Sequence, residues 1–128
     1  MKILRVSMAI VSIMFVGLCN AKSIVDCTSK SSLNDLIAKN SMVVVDFHGE
    51  RFCMPCKRMA RPFEELSSEF PEVQFVKINT ESVHDFDSEI RSVPTFYFYK
   101  GGTKVNSFSG AKGKGYLKNI VKSSFGLQ

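Results

Sequence analysis

The residues best suited to chemistry are Cys53 and Cys56, within the stretch Phe47-His48-Gly49-Glu50-Arg51-Phe52-Cys53-Met54-Pro55-Cys56-Lys57. Two cysteines separated by two residues, after an apolar run and before a helical pattern, have the spacing of a redox dithiol. At the start of a helix, residues three apart share a face, so the two sulfurs can meet with little backbone movement. Unpaired N–H groups and the positive end of the helix dipole stabilise a thiolate there, which makes Cys53 the attacking sulfur. Pro55 in the first turn sacrifices no helical hydrogen bond and fixes φ, stiffening the loop. Lys57 and Arg58 add positive charge close by.

Metal binding is the competing use of cysteine. Cys53 and Cys56 supply only two ligands, and His48 and His84 form no second ligand pair at knuckle or helical spacing, which argues against a structural zinc site. His48 reads as a modifier of the dithiol loop and His84 as a surface or helix-end residue.

The elements that must hold the dithiol lie on either side of it. Residues 42–47 form a nearly continuous apolar, β-branched run, the pattern of a strand buried on both faces. Asp46 interrupts it. A carboxylate near the end of a buried strand is costly unless it finds a partner or takes up a proton. Its position just before the dithiol makes Asp46 a candidate proton acceptor. Beyond Cys56, the residues Met59, Phe63, Leu66 and Phe70 recur at helical spacing, and Pro62 predicts a kink in that helix.

The remaining pattern is read in the same way. Residues 23–27 are compatible with an edge strand, and a helix is expected from Ser32, with Asp35 approximating a capping box, to Lys39-Asn40. Residues 73–78 read as a strand. Val83, Phe86 and Ile90 predict a short helix whose solvated face carries Glu81, Asp85, Asp87 and Glu89. Residues 95–99 and 105–108 predict a hairpin across Gly101-Gly102, and Leu117, Ile120, Val121 and Phe125 a closing helix. The order β-α-β-α-β-α-β-β-α implies an α/β fold with a central mixed β-sheet flanked by helices on both faces.

With 128 residues, 45% hydrophobic and 23% charged, the chain suits one globular domain and excludes a disordered class. Residues 1–21 differ: Lys2 and Arg5 precede an apolar stretch over 6–18, and Cys19-Asn20-Ala21 ends on a small residue. That is a secretory signal pattern, too short for a comfortable membrane span. The expected organisation is a signal peptide over 1–21 and one domain over 22–128, exported and without stable membrane insertion after cleavage. Removing the signal takes away Lys2 and Arg5 and lowers the net charge from +5 to +3. The excess lies late, from Lys100 to Lys122, without regularly interleaved aromatic residues, so it reads as a solvated basic face and not a nucleic-acid surface. The mature chain would keep Cys27, Cys53 and Cys56. An odd cysteine makes Cys27 either a small buried apolar residue or a reactive or intermolecular thiol.

Taken together, Val43-Val44-Val45-Asp46-Phe47, Cys53-Met54-Pro55-Cys56-Lys57, Val93-Pro94-Thr95, Lys100-Gly101-Gly102 and Phe108-Ser109-Gly110-Ala111 resemble the thioredoxin family over residues 23–127. The resemblance implies that Cys53 is the nucleophile and Cys56 the resolving cysteine. It implies that Pro94 is a cis-proline facing the dithiol, and that Val93 offers backbone hydrogen bonds to an extended substrate. Asp46 matches the family's buried acid, Lys77 a lysine beside it, and Gly110 a glycine near the substrate groove. Three departures are informative. Phe52 stands where the family usually has Trp, Met54 stands where Gly is common, and one extra residue lengthens the loop between Asp46 and Cys53. Phe52 and Met54 would form an apolar docking patch with Val93 and Gly110, while Lys57 and Lys77 would modulate the pKa values of the site.

The activity implied is that of a thiol–disulfide oxidoreductase, most simply a protein-disulfide reductase without cofactor or metal. Its partners would be disulfide-containing proteins and an upstream thiol reductant, and the protein is expected to be a monomer. Export favours two alternatives, a disulfide oxidase or isomerase in an oxidising compartment and a thioredoxin-fold binding or assembly subunit.

Overall fold

A computed structural model describes residues 22–128, and the signal-peptide expectation for 1–21 lies outside the described residues. The elements are β1 (Val25–Asp26), α1 (Lys30–Lys39), β2 (Met42–His48), α2 (Met54–Glu69), β3 (Gln74–Asn79), β4 (Thr95–Lys100), β5 (Thr103–Ser109) and α3 (Lys114–Phe125). The strands form one mixed sheet in the order β1-β3-β2-β4-β5. β3 runs parallel to β1 and β2, while β4 is antiparallel to β2 and β5.

Alternation along β2 divides the core. Val44 packs with Met59, Phe63 and Leu66 of α2 and with Leu117, Val121 and Phe125 of α3. Val43, Val45 and Phe47 point to the other face, with Leu33 of α1, Val83 and Phe86. Helices therefore cover both faces, as the apolar run over 42–47 predicts. Asp46 has the parity of Val44, so it is turned toward α2. Gly101 and Gly102 make the β4–β5 turn with φ of +59° and +86°, values that an L side chain rarely adopts.

Two expectations need correction. Helix α1 begins at Lys30, capped by Ser29, whose Oγ accepts the Ser32 N–H at 3.1 Å; Ser32 is inside the first turn and Asp35 completes no capping box. Asp85 adds to this start by accepting the Lys30 N–H at 2.7 Å. The second correction concerns residues 80–90, which form turns in place of the helix predicted from Val83, Phe86 and Ile90. Isolated turns close on Asn79 O from Val83 N (2.9 Å) and on Phe86 O from Ile90 N (2.9 Å), and they do not join. A segment this short gains little from helix propagation, whereas Val83 and Phe86 are buried without it. The acids of this stretch accordingly have individual partners: besides Asp85, Asp87 meets His84 at 3.0 Å and Glu89 meets Lys30 at 3.3 Å.

Candidate active site

β2 and the N-terminus of α2 build the site. The strand ends at His48, the loop from Gly49 to Phe52 crosses over the sheet, and Cys53 is the N-cap of α2. An N-cap side chain meets the unpaired amides of the first turn, and the Cys56 N–H donates to Cys53 Sγ at 3.1 Å. The Gly49 N–H donates to Cys56 Sγ at 3.4 Å. Cys53 and Cys56 are joined as a disulfide, with an S–S distance of 2.07 Å and Cα atoms 5.2 Å apart. When this bond opens, the Cys56 amide and the helix dipole remain aimed at Cys53 and favour its thiolate.

On the far side of the dithiol stands the cis Val93-Pro94 peptide. The Val93 carbonyl oxygen lies 3.6 Å from Cys53 Sγ. Neighbouring bonds pin this loop: the Gly110 N–H donates to Pro94 O at 2.8 Å, and Thr95 Oγ1 donates to Ser92 O at 2.7 Å. Gly110 has φ +94°, which reserves its position for glycine. Phe52 and Met54, on either side of Cys53, are 89% and 63% exposed, so the dithiol is flanked by apolar side chains that no part of the described chain covers.

Behind Cys56 is a cavity of about 140 Å³ whose lining includes Asp46, His48, Cys56, Lys57 and Lys77. Asp46 is 2% exposed, and its Oδ1 has no hydrogen-bond partner among the described residues. Its neighbours in register are Lys77 on β3 and Phe96 on β4. Burial pushes the carboxyl up to about 7, against the opposing pull of the Lys77 charge. At neutral pH this group can both accept and return a proton. His48, also buried, is held below its ordinary pKa by burial first and by Lys77 second.

The structure thus gathers Cys53, Phe52, Met54, Val93, Pro94 and Gly110 on the outer side of the dithiol, and Cys56, Asp46, Lys57 and Lys77 behind it. The extra loop residue does not part Asp46 from Cys56, since both line one cavity. Cys27 is buried in the core on the α1 face, and His84 is at the surface. Two contributors escape the sequence reading. One is the Gly49 amide. The other is Glu81, whose carboxylate accepts the Arg51 N–H at 2.9 Å and anchors the lengthened loop. A Cβ on Gly49 would sit 2.9 Å from Glu81 Oε2, so a glycine beside the dithiol was the available signal. Among the described residues, no three His, Cys, Asp or Glu side chains are placed to share a metal, and no helix is long and apolar enough to cross a membrane.

Comparison with known proteins agrees with this geometry. The family profile described as Thioredoxin matches residues 24–123. "Thioredoxin-3" of Dictyostelium discoideum is 46% identical over 90 residues, covering 69% of this chain and 85% of the relative. The solved thioredoxin of Plasmodium falciparum superposes with a TM-score of 0.71 at 32% identity, covering 78% of this chain and 98% of that one. A thioredoxin from Halobacterium salinarum NRC-1 shares the fold with a TM-score of 0.78 at 23% identity, over 88% of this chain and 99% of the other.

Proposed function

The chain belongs to the thioredoxin family and is a protein-disulfide reductase with a Cys53–Cys56 redox pair, and on that premise we propose how its residues divide the work and where the protein acts. Cys53 thiolate attacks one sulfur of a substrate disulfide; a bond forms between the two sulfurs and the substrate's other sulfur leaves as a thiolate. Asp46, as carboxylate, takes the Cys56 proton across the shared cavity. The Cys56 thiolate then attacks Cys53 Sγ, the intramolecular disulfide forms, and the second substrate sulfur departs. Two electrons have passed to the substrate. An upstream dithiol restores the pair by the reverse sequence, in which Asp46 returns the proton to Cys56.

Phe52 and Met54 supply apolar contact for the segment around the substrate disulfide, and the Val93 backbone and Gly110 receive its extended chain. Lys57 and Lys77 bias the charge of the cavity. Disulfide-containing proteins are the substrates, and the molecule acts as a monomer. The basic and apolar pattern of residues 1–21 supports export, with cleavage after Ala21. The observation that carries the division of labour is Asp46 and Cys56 on one cavity, while Cys53 faces Val93 on the other side of the dithiol.

The test is to express Cys56→Ser in the native host and isolate covalent complexes. Mixed disulfides at Cys53, recovered from the exported fraction, are expected. Complexes through Cys27, or complexes recovered only from the cytosol, would overturn the assignment of nucleophile or of destination.

A further inference from the structure

Glu81 is exposed in the turn after β3, where an acid is ordinarily surrounded by water, yet its carboxylate is engaged with the backbone of the dithiol loop. Its Oε2 accepts the Arg51 N–H at 2.9 Å and packs against Gly49, where a Cβ would sit 2.9 Å from it. The preceding residue grips the other end of the same segment: the Thr80 N–H and Oγ1 both donate to the His48 carbonyl oxygen, at 2.8 and 3.1 Å. That carbonyl and the Gly49 N–H belong to one planar peptide unit and point opposite ways. With the oxygen held by Thr80, the N–H is turned to Cys56 Sγ, 3.4 Å away. Glu81 is steadied in turn by its own N–H, which donates to Asn79 Oδ1 at 3.0 Å. Two consecutive residues beyond β3 therefore bracket the loop amide that reaches the resolving sulfur.

We propose that Glu81 is a positioning residue for the resolving step: it holds the lengthened loop so that the Gly49 N–H stays aimed at Cys56 Sγ as that sulfur passes between disulfide and thiolate. This rests on the reading of Cys56 as the resolving cysteine. A sulfur in a disulfide is a weak acceptor, whereas a thiolate carries a full charge and accepts a charge-assisted hydrogen bond. The Gly49 amide therefore binds the attacking form of Cys56 more tightly than its oxidised or protonated form, and an interaction that strengthens toward the reacting state accelerates the step. A loop with an added residue has more conformations to lose before the amide is in place, and the Thr80 and Glu81 contacts remove them in advance. The charge of Glu81 acts the other way, because a nearby anion disfavours a thiolate. Geometry and charge thus make opposite predictions for its removal.

The experiment mixes reduced protein with an aromatic disulfide by stopped flow, from about pH 5.5 to 9.5. Attack by Cys53 releases the first aromatic thiolate at a rate proportional to reagent, and Cys56 releases the second at a rate independent of it. Glu81→Ala is expected to slow the second phase relative to the first by roughly fivefold or more at pH 7, and to move its pH profile upward. Glu81→Gln should rescue both, since its amide oxygen can accept the Arg51 N–H. Gly49→Ala should slow the second phase as well, by displacing the carboxylate, but should add nothing to Glu81→Ala, where the obstructing oxygen is gone. Asp46, His48, Glu50, Lys57 and Lys77 line the cavity with Cys56 and are present in every variant; Glu50 shares the loop, so the Glu81→Ala effect must also persist beside Glu50→Gln. A Glu81→Ala second phase as fast as wild type or faster, a Glu81→Gln rate no better than that of Glu81→Ala, or independent effects of Gly49→Ala and Glu81→Ala would each overturn the proposal. So would an effect that Glu50→Gln abolishes. If Cys56→Ser keeps the second phase, the resolving role of Cys56 fails and the proposal with it. A second phase lost in Cys56→Ser but untouched in Glu81→Ala removes the positioning role alone.

Discussion

Replacing Asp46 by Asn removes a titrating group from the centre of the protein at almost constant shape, and the consequence is readable in stability. In the fold the carboxyl is pushed from 3.8 up to about 7, with burial as the leading cause. Below pH 3.8 it is protonated in both folded and unfolded chains and contributes nothing to the pH dependence. As pH rises toward 7, the unfolded chain ionises while the folded one retains its proton, so the folded state loses stability with each step. Above about 7 both forms are ionised and the loss is complete. At about 1.4 kcal/mol for each tenfold difference in proton affinity, the interval corresponds to about 4 kcal/mol. The Asn variant escapes this cost. Urea denaturation of the two oxidised proteins from pH 3.5 to 8.5 should therefore show the Asn variant gaining on wild type progressively, by up to about 4 kcal/mol at pH 8. A difference that stays constant with pH, or one that shrinks as pH rises, would refute the claim that Asp46 is buried with a raised pKa.

Other changes have equally specific outcomes. Gly110→Ala meets open space at its Cβ but forces alanine to φ +94°, so it should cost about 1–2 kcal/mol in chemical denaturation and weaken substrate binding. Phe52→Ala combined with Met54→Ser removes the apolar flanks of the dithiol; exposed as they are, the unfolding free energy should move by less than about 0.5 kcal/mol each while KM for protein disulfides rises several-fold. Phe63→Ala opens a hole between α2 and the sheet, where the ring packs 5.0 Å from Phe75 and 6.0 Å from Phe96; an unfolding free energy lower by about 3–5 kcal/mol is expected.

Much of the site is legible in the chain because its chemistry is local. The Cys53–Cys56 spacing, Pro55 in the first turn and the apolar run over 42–47 that Asp46 interrupts each express a backbone requirement within a few residues. The cis Val93-Pro94 bond is not of this kind: only resemblance to a family assigns it, since nothing local distinguishes it from an ordinary trans bond. Residues 80–90 mislead because Val83, Phe86 and Ile90 repeat at helical spacing, whereas their burial is achieved by separate turns. Glu81 and Gly49 were hidden for a different reason. Their roles depend on contacts that only the fold creates: a Glu81 carboxylate on the Arg51 amide thirty positions away, and the Gly49 amide on Cys56 Sγ across the lengthened loop. The start of α1 at Ser29 shows the same limit on a smaller scale, because Asp85 completes that helix end from the distant turn segment.

The central claim is that the Cys53–Cys56 pair works as a thioredoxin-type reductant, and its equilibrium with a defined glutathione or dithiothreitol couple tests it most directly. Oxidised and reduced fractions, followed by thiol alkylation and mass, should give a midpoint near thioredoxin's own value of about −270 mV. A midpoint between about −180 and −120 mV, in the range of the disulfide isomerase and of the strong oxidant of bacterial export, would contradict it.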